Sequence, residues 1–363
     1  MSASELVDRA RAVRPGEELD AAWLEKYLAE KVPGLTGPLE VEQFPGGHSN
    51  LTYLLRMGER ELVLRRPPFG AKAIKAGHDM GREYRILSAL LPVYPKVPRP
   101  LVYCGEGESP MGAPFYVMER VRGVILRAKP PKGLELTPER MRRLSESFVD
   151  NLVELHAVDW RAAGLGEIGK PEGYVGRQVA GWTERYGKAR TDEIPEMEQV
   201  AEWLAGNLPA ETAPTLIHND YKYDNLVLDP EELPRIRGVL DWEMATIGDP
   251  LSDLGMALAY WVEAEDPEEL KALPLGLTML PGNLTREELV ARYAEKSGRD
   301  TRGILFHYVL SLFKVAVIAQ QIYARYKAGL TKDERFAMMI FGVQMLSRAA
   351  VRALESGSIR PSA

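Results

Sequence analysis

The stretch His218-Asn219-Asp220-Tyr221-Lys222-Tyr223-Asp224-Asn225, followed by Val239-Leu240-Asp241-Trp242-Glu243, decides how this chain is read. It places an acid, an amide five residues later and a second acid sixteen residues beyond that. Such a set can orient a hydroxyl and hold Mg²⁺ on the phosphates of a nucleotide, which is the positioning that phosphoryl transfer demands of a protein. Asp220 suits the hydroxyl. Leu216 and Ile217 lead in from an apolar segment, and a loop after them leaves a carboxylate able to accept a proton. Asn225 and Asp241 suit the metal, one as a neutral and one as a charged hard oxygen ligand.

Between the two ligands, Leu226-Val227-Leu228 and Ile236–Leu240 are apolar, strand-like runs joined by Asp229-Pro230-Glu231-Glu232-Leu233-Pro234. A hairpin there returns the chain to its start, so Asp241 is expected beside Asn225. Any one of Asp220, Asp224, Asn225 and Asp241 is also what a turn or a helix cap would use. The ordered set, with a hairpin between its members, is what sets it apart from a run of ordinary turns.

Toward the front, Leu19–Lys31 has helical spacing through Trp23, Leu24, Tyr27 and Leu28 and is stopped by Pro33-Gly34. Strands are expected at Leu39–Phe44, Leu51–Arg56 and Glu61–Arg65, a helix over Gly81–Leu91, and further strands at Leu101–Tyr103 and Phe115–Met118. That is a small α+β lobe with an antiparallel sheet, followed by a long, mainly helical remainder. The turn Gly46-Gly47-His48-Ser49-Asn50 offers backbone amides and small side chains to a phosphate, although a plain hairpin turn also uses two glycines. His156 lies on an apolar-periodic helix and reads as a packed histidine, and His218 as a hydrogen-bond partner fixing its loop.

On these motifs the chain resembles the aminoglycoside phosphotransferase family. The matching residues are His218-Asn219-Asp220 through Asn225, Asp241-Trp242-Glu243, and Ile247-Gly248-Asp249-Pro250 through Asp253-Leu254, and the likeness runs from about Phe44 to Asp253. Leu64-Arg65-Arg66-Pro67-Pro68 and the wording around Asp241 resemble the branch of kinase-like domains found beside acyl-CoA dehydrogenases. The resemblance implies an α+β, protein-kinase-like fold of two lobes, residues 1–119 binding nucleotide and residues 120–363 carrying the catalytic loop and substrate site. It implies ATP and Mg²⁺ as cofactors, with Ser49 and Asn50 at the phosphates. Arg65 stands where the family has a phosphate-binding lysine, with Glu83 as its ion-pair partner; a guanidinium can take that role with a different reach. Arg65, Arg66 and Glu83 also read as simple surface charges. Glu119 and Val121 are placed at an adenine hinge by the resemblance alone. Asp249 and Asp253 are expected to brace the loop and a helix start. Only seven residues separate Asp241 from Asp249, too few for a peptide-docking segment, so the acceptor is expected to be a small-molecule hydroxyl compound.

Composition sets bounds. With 363 residues and a net charge of −6 that is not blockwise, the chain shows no nucleic-acid footprint and no polybasic membrane tail. The lone Cys104 excludes an internal disulfide or a cysteine metal cage. No charged-then-apolar leader opens the sequence, and the apolar runs read as too short to cross a bilayer, so a cytoplasmic location without membrane contact is expected. Oligomeric state is left open. So is the acceptor: Trp261 and the acids Glu263, Glu265, Asp266, Glu268 and Glu269 suit an aminosugar or choline, or are a solvated helix end, whereas the branch resemblance suggests a hydroxyacyl compound. A regulatory ATP-binding protein and a nucleotidyl transferase are the alternatives to a kinase.

Overall fold

A computed structural model describes residues 6–45, 50–69, 79–331 and 333–360. The chain divides into two compact units. One comprises Met1–Ile125, Arg161–Ile168 and Asn225–Met244, the other Leu126–Trp160, Gly169–Asp224 and Ala245–Ala363. This division differs from a single cut after residue 119, because the segment Asn225–Met244 packs with the first unit although it lies far along the sequence.

The first unit is built on an antiparallel sheet of five strands, β1 (Leu39–Gln43), β2 (Leu51–Met57), β3 (Arg60–Arg66), β4 (Pro100–Cys104) and β5 (Phe115–Glu119), in the order β1-β2-β3-β5-β4. The β2–β3 turn is two residues long, and its Gly58 adopts φ 61° with the Thr36 carbonyl 2.9 Å from where a Cβ would stand. Only glycine meets both conditions cheaply. One sheet face is covered by α1 (Ala21–Lys31), whose Asp20 cap accepts from the Trp23 N–H and whose Leu24 and Leu28, one turn apart, are fully buried with Tyr53, Leu55, Leu62, Leu64, Phe115 and Val117. Trp23 and Tyr27 stack at 4.8 Å and both meet Phe115 edge-on. The second helix, α2 (Met80–Leu90), is capped by Asp79 and buries Ile86, Leu87 and Leu90, but also Glu83. A carboxylate on the inner face of an amphipathic helix needs a partner. The last piece is the hairpin of β7 (Leu226–Leu228) and β8 (Ile236–Val239), joined to the rest through the Val124–Leu228 bridge.

In the second unit, the strands β6 (Thr215–Ile217) and β9 (Thr246–Gly248) pair antiparallel. The unit also holds the helices α3 (Pro138–His156), α4 (Tyr174–Ala189), α5 (Pro195–Gly206), α6 (Pro250–Ala259), α7 (Glu268–Lys271), α8 (Arg286–Ser297), α9 (Ile304–Lys327) and α10 (Met339–Ser356), of which α3 and α6 pack on β6. The sequence pattern showed no β9, since three residues ending in glycine are too short to display a period. All ten residues of α6 are buried, with α9 packed along it. Their approach is set by Gly255: a Cβ there would lie 2.6 Å from the His307 backbone carbonyl. Two segments, Ile304–Lys327 and Glu334–Ser356, are long and apolar enough to cross a bilayer by length and composition, which corrects the expectation that the apolar runs are too short. The apolar window of α9 is 67% buried within the protein, because this helix is core to four others.

Two substitutions test this packing. Leu28→Ala should cost about 2–5 kcal/mol, the range for emptying a buried leucine site, read as a lower urea midpoint. Gly255→Val should cost about 3 kcal/mol, the top of the overpacking range, because the obstacle is backbone that cannot rotate away; a midpoint within error of the parent would refute the close α6–α9 approach.

Candidate active site

The loop after β6 is fixed by a carboxylate from α6. Asp253, fully buried, accepts the backbone N–H of His218 at 2.6 Å and of Asn219 at 2.7 Å, and its Oδ2 lies 3.1 Å from His156 Nε2. His156 Nδ1 in turn meets the Tyr293 hydroxyl at 2.7 Å. Burial by itself would raise the Asp253 carboxyl, but the bonds from His156 and the His218 N–H hold it below the usual aspartate range. One turn earlier Asp249 caps α6, accepting from the Leu251 N–H at 2.7 Å, and takes the Thr212 hydroxyl at 2.8 Å. Asp253 thus bonds the loop and Asp249 bonds the helix start. His156 does more than pack, since it is a partner of the carboxylate on which the loop rests.

The bracing has a visible consequence in the backbone. Asn219 sits at φ 65°, a left-handed conformation that costs a non-glycine residue on the order of 1 kcal/mol or more and clusters at functional sites. Its side-chain oxygen accepts from the Tyr174 hydroxyl at 3.1 Å. Next in the chain, the Asp220 N–H points at His218 Nδ1, 3.3 Å away, so that ring nitrogen acts as acceptor. The Asp220 carboxylate stays partly exposed (20%) and pairs with Lys222 Nζ at 3.0 Å, and that ammonium lies 4.7 Å from the centroid of the Tyr260 ring. Burial lowers the Lys222 ammonium, but Asp220 and its neighbours more than reverse this and keep it charged. The aromatic Tyr221 and Tyr223 anchor the loop's far side, bonding the Phe148 carbonyl and Asn283 respectively.

Asn225 and Asp241 belong to the first unit. Leu240 N–H donates to the Asn225 carbonyl at 2.8 Å, which closes the hairpin and places Asp241 one residue beyond the pairing. Asp241 also has positive φ, 67°. Arg65 joins it to α2: Nη1 meets Glu83 Oε1 at 2.6 Å, Nη2 meets Asp241 Oδ1 at 2.8 Å, and Glu243 Oε2 lies 3.4 Å from the same nitrogen. Burial opposes the charge on Arg65, but Glu83 and Asp241 hold its pKa well above the ordinary value. The planar fork of arginine allows one cation to bridge two carboxylates, which a lysine ammonium does less well. Glu83 Oε1 also accepts the Trp242 N–H at 3.2 Å, and Glu243 Oε2 accepts from Asn50 Nδ2 at 2.6 Å. Three acids therefore face one guanidinium, and of these Asp241 is the most exposed, at 33%. Asn225 and Asp241 are an amide and a carboxylate on adjoining ends of one hairpin, a donor set of the hard oxygen kind that Mg²⁺ takes together with waters and phosphates.

Of the remaining sequence-derived residues, Ser49 lies outside the described residues, with Gly46, Gly47 and His48. Asn50 is buried and held by Glu243. Glu119 ends β5, its N–H bonded to the Arg99 carbonyl and its side chain 3.2 Å from Arg60 Nη2. Val121 packs its side chain toward Gly238, and among the described residues nothing bonds its backbone N–H or carbonyl. Sequence reasoning passed over Lys222, Tyr260 and the bridging part of Glu243. The nearness of Lys222 to Asp220 in the chain was a usable signal; Tyr260 carried none.

The phosphotransferase enzyme family (APH) is matched over residues 40–288. Over 350 residues the chain is 36% identical to acyl-CoA dehydrogenase family member 11 of Rattus norvegicus, an alignment covering 94% of this chain and 44% of that protein. The chain thus spans less than half the length of the curated relatives it matches. A crystal structure of a provisional aminoglycoside phosphotransferase from Ralstonia eutropha JMP134 is 31% identical, with a TM-score of 0.79 and coverage of 93% of this chain and 99% of that one. A thermostable mutant of aminoglycoside phosphotransferase APH(4)-Ia, crystallised with ADP and hygromycin B, shares the fold at 16% identity and a TM-score of 0.58, covering 91% of this chain and 98% of that one.

The Asp253 cluster makes a pH prediction. A carboxyl whose folded pKa is depressed contributes stability that is present above its unfolded value and lost as pH falls through the folded one. The stability difference between the parent and Asp253→Asn should be full near pH 7 and shrink below about pH 4, followed by chemical denaturation across that range; a difference that stays constant down to the acid limit would contradict the role given to the charge.

Proposed function

The chain belongs to the phosphotransferase enzyme family (APH) and is a small-molecule kinase, and we propose that it moves the γ-phosphate of ATP to a hydroxyl of a metabolite, with Mg²⁺ as the required cation. The observation that carries the reading is the chain of ion pairs Glu83–Arg65–Asp241 beside Asn225, which sets a fixed cation next to an oxygen donor pair. In this reading Asn225 and Asp241 hold the metal. When bound, Mg²⁺ neutralises phosphate charge and fixes the transferring group. Arg65 keeps Asp241 oriented and offers its charge to the phosphates. Asp220, held at a set height by Asp253 through the backbone of His218 and Asn219, receives the acceptor's hydroxyl proton at its carboxylate as the oxygen attacks. Lys222, on the same carboxylate, limits its rotation. Val121, with backbone groups that no described residue bonds, suits the edge of an adenine, and the APH(4)-Ia neighbour was crystallised with ADP. The acyl-CoA dehydrogenase names of the relatives support a hydroxyacyl metabolite over an aminoglycoside or choline-like acceptor.

The test is product analysis with labelled ATP. ADP is expected; pyrophosphate would indicate nucleotidyl transfer, and neither product would indicate a binding protein. Asp220→Asn should lower turnover by about 10²-fold or more, the usual contribution of a general base, while nucleotide affinity stays near the parent value. Asp241→Ala should weaken Mg²⁺-dependent nucleotide binding itself, and an unaltered Mg²⁺ titration would remove Asp241 from the ligand set.

A further inference from the structure

The acid-rich segment after α6 gives no cation site. Asp266 is bidentate to Arg286, Oδ1 to Nη2 at 2.7 Å and Oδ2 to Nη1 at 2.8 Å, and Glu263 Oε1 takes the Arg286 backbone N–H at 2.8 Å. Both acids are buried. Glu268 pairs with Lys271 on its own helix, and Glu265 and Glu269 are exposed to solvent. The acids that suggested an aminosugar or choline are therefore balanced within the fold or solvated.

Positive charge is differently placed. Lys314, on α9, is only 5% exposed, and among the described residues no hydrogen bond or ion pair reaches its ammonium. The Trp182 ring stands 5.8 Å from Nζ, and Arg185 lies 4.7 Å from the same ring. One indole thus stands next to two cations. Burial pushes the Lys314 ammonium down to about 8, against the pull of the Asp253 and Asp220 carboxylates. Neither acid is at its disposal: Asp253 is bonded to His156 and the loop backbone, and Asp220 to Lys222. A lysine desolvated in this way without a carboxylate in contact is costly, and groups held so are candidates for function.

We propose that Lys314 binds an anionic oxygen group of the acceptor, a carboxylate or phosphate ester, while Asp220 receives the acceptor's hydroxyl, so that this enzyme's substrate is a hydroxylated anion and not a cation. The inference rests on the role given to Asp220 above. The ligand supplies the counter-charge that the fold withholds from Lys314, and Trp182 gives the ligand's carbon chain an apolar neighbour.

The experiment measures ADP release from Mg·ATP by the full chain with three charge classes of hydroxyl compound: 3-hydroxybutyrate and glycerol 3-phosphate, then butane-1,3-diol and glycerol, then choline and an aminoglycoside. Release above the acceptor-free rate should be confined to the anions. Lys314→Met should raise their KM at least tenfold with a smaller change in kcat, and its melting temperature should match or exceed that of the parent, since a buried unpaired charge has gone. Release with cations or polyols only, or an anion KM that Lys314→Met leaves unmoved, overturns the proposal. So does a melting temperature several degrees lower with KM intact, which marks Lys314 as a structural counter-charge. Absence of any response to the anions also sinks it, yet leaves phosphotransfer standing if Asp220→Asn still lowers the acceptor-free rate; if that rate is unaffected too, the reading of Asp220 has failed instead.

Discussion

The geometry of the loop carrying Asp220 depends on one buried carboxylate. Asp253 collects two consecutive backbone N–H groups and a histidine on two oxygens, and no neutral side chain of similar size could accept from all of them with equal strength. Because α6 is buried along its whole length, the carboxylate is rigid, and the loop inherits that rigidity. The left-handed backbone at Asn219 is the local cost, sustained by the charge-assisted bonds on either side of it.

The first unit solves the opposite problem. There the acid is not buried but tethered: Arg65 ties the partly exposed Asp241 to Glu83, whose own burial would be unfavourable without a cation. The arginine suits this because its two Nη atoms address different carboxylates at once, and Glu243 joins the same nitrogen while holding Asn50. An arginine at this position is thereby matched to the number of acids in the cluster. A positive φ at Asp241, as at Asn219, marks the place where the backbone is bent to present a side chain.

Charge elsewhere in the second unit separates into two kinds. Arg286 with Glu263 and Asp266 is a closed set in which one guanidinium engages both acids, and it reads as a staple for the segment after α6. Lys314 is an open one: among the described residues no ion pair reaches it, and the acids that pull on its charge, Asp253 and Asp220, are bonded to others. Buried charge without a partner is unusual in a fold optimised for stability alone, and it is the kind of feature that a bound molecule completes.

Much of this was legible in the chain. Amphipathic spacing over Leu24 and Leu28, the strands of the sheet and the hairpin between Asn225 and Asp241 are local consequences of side-chain period and backbone freedom, so sequence alone determined them to within a residue or two at their ends. The order of acid, amide and acid was equally plain, because motif spacing is a property of the chain. What only the tertiary structure decided are relations between residues remote in sequence: that Asp253 and His156 meet, that Arg65 reaches Asp241, that Glu263 and Asp266 are engaged by Arg286, and that no described carboxylate forms an ion pair with the buried Lys314. Pairing of charges depends on distance and desolvation in the folded state, and neither is encoded in the separation of residues along the chain.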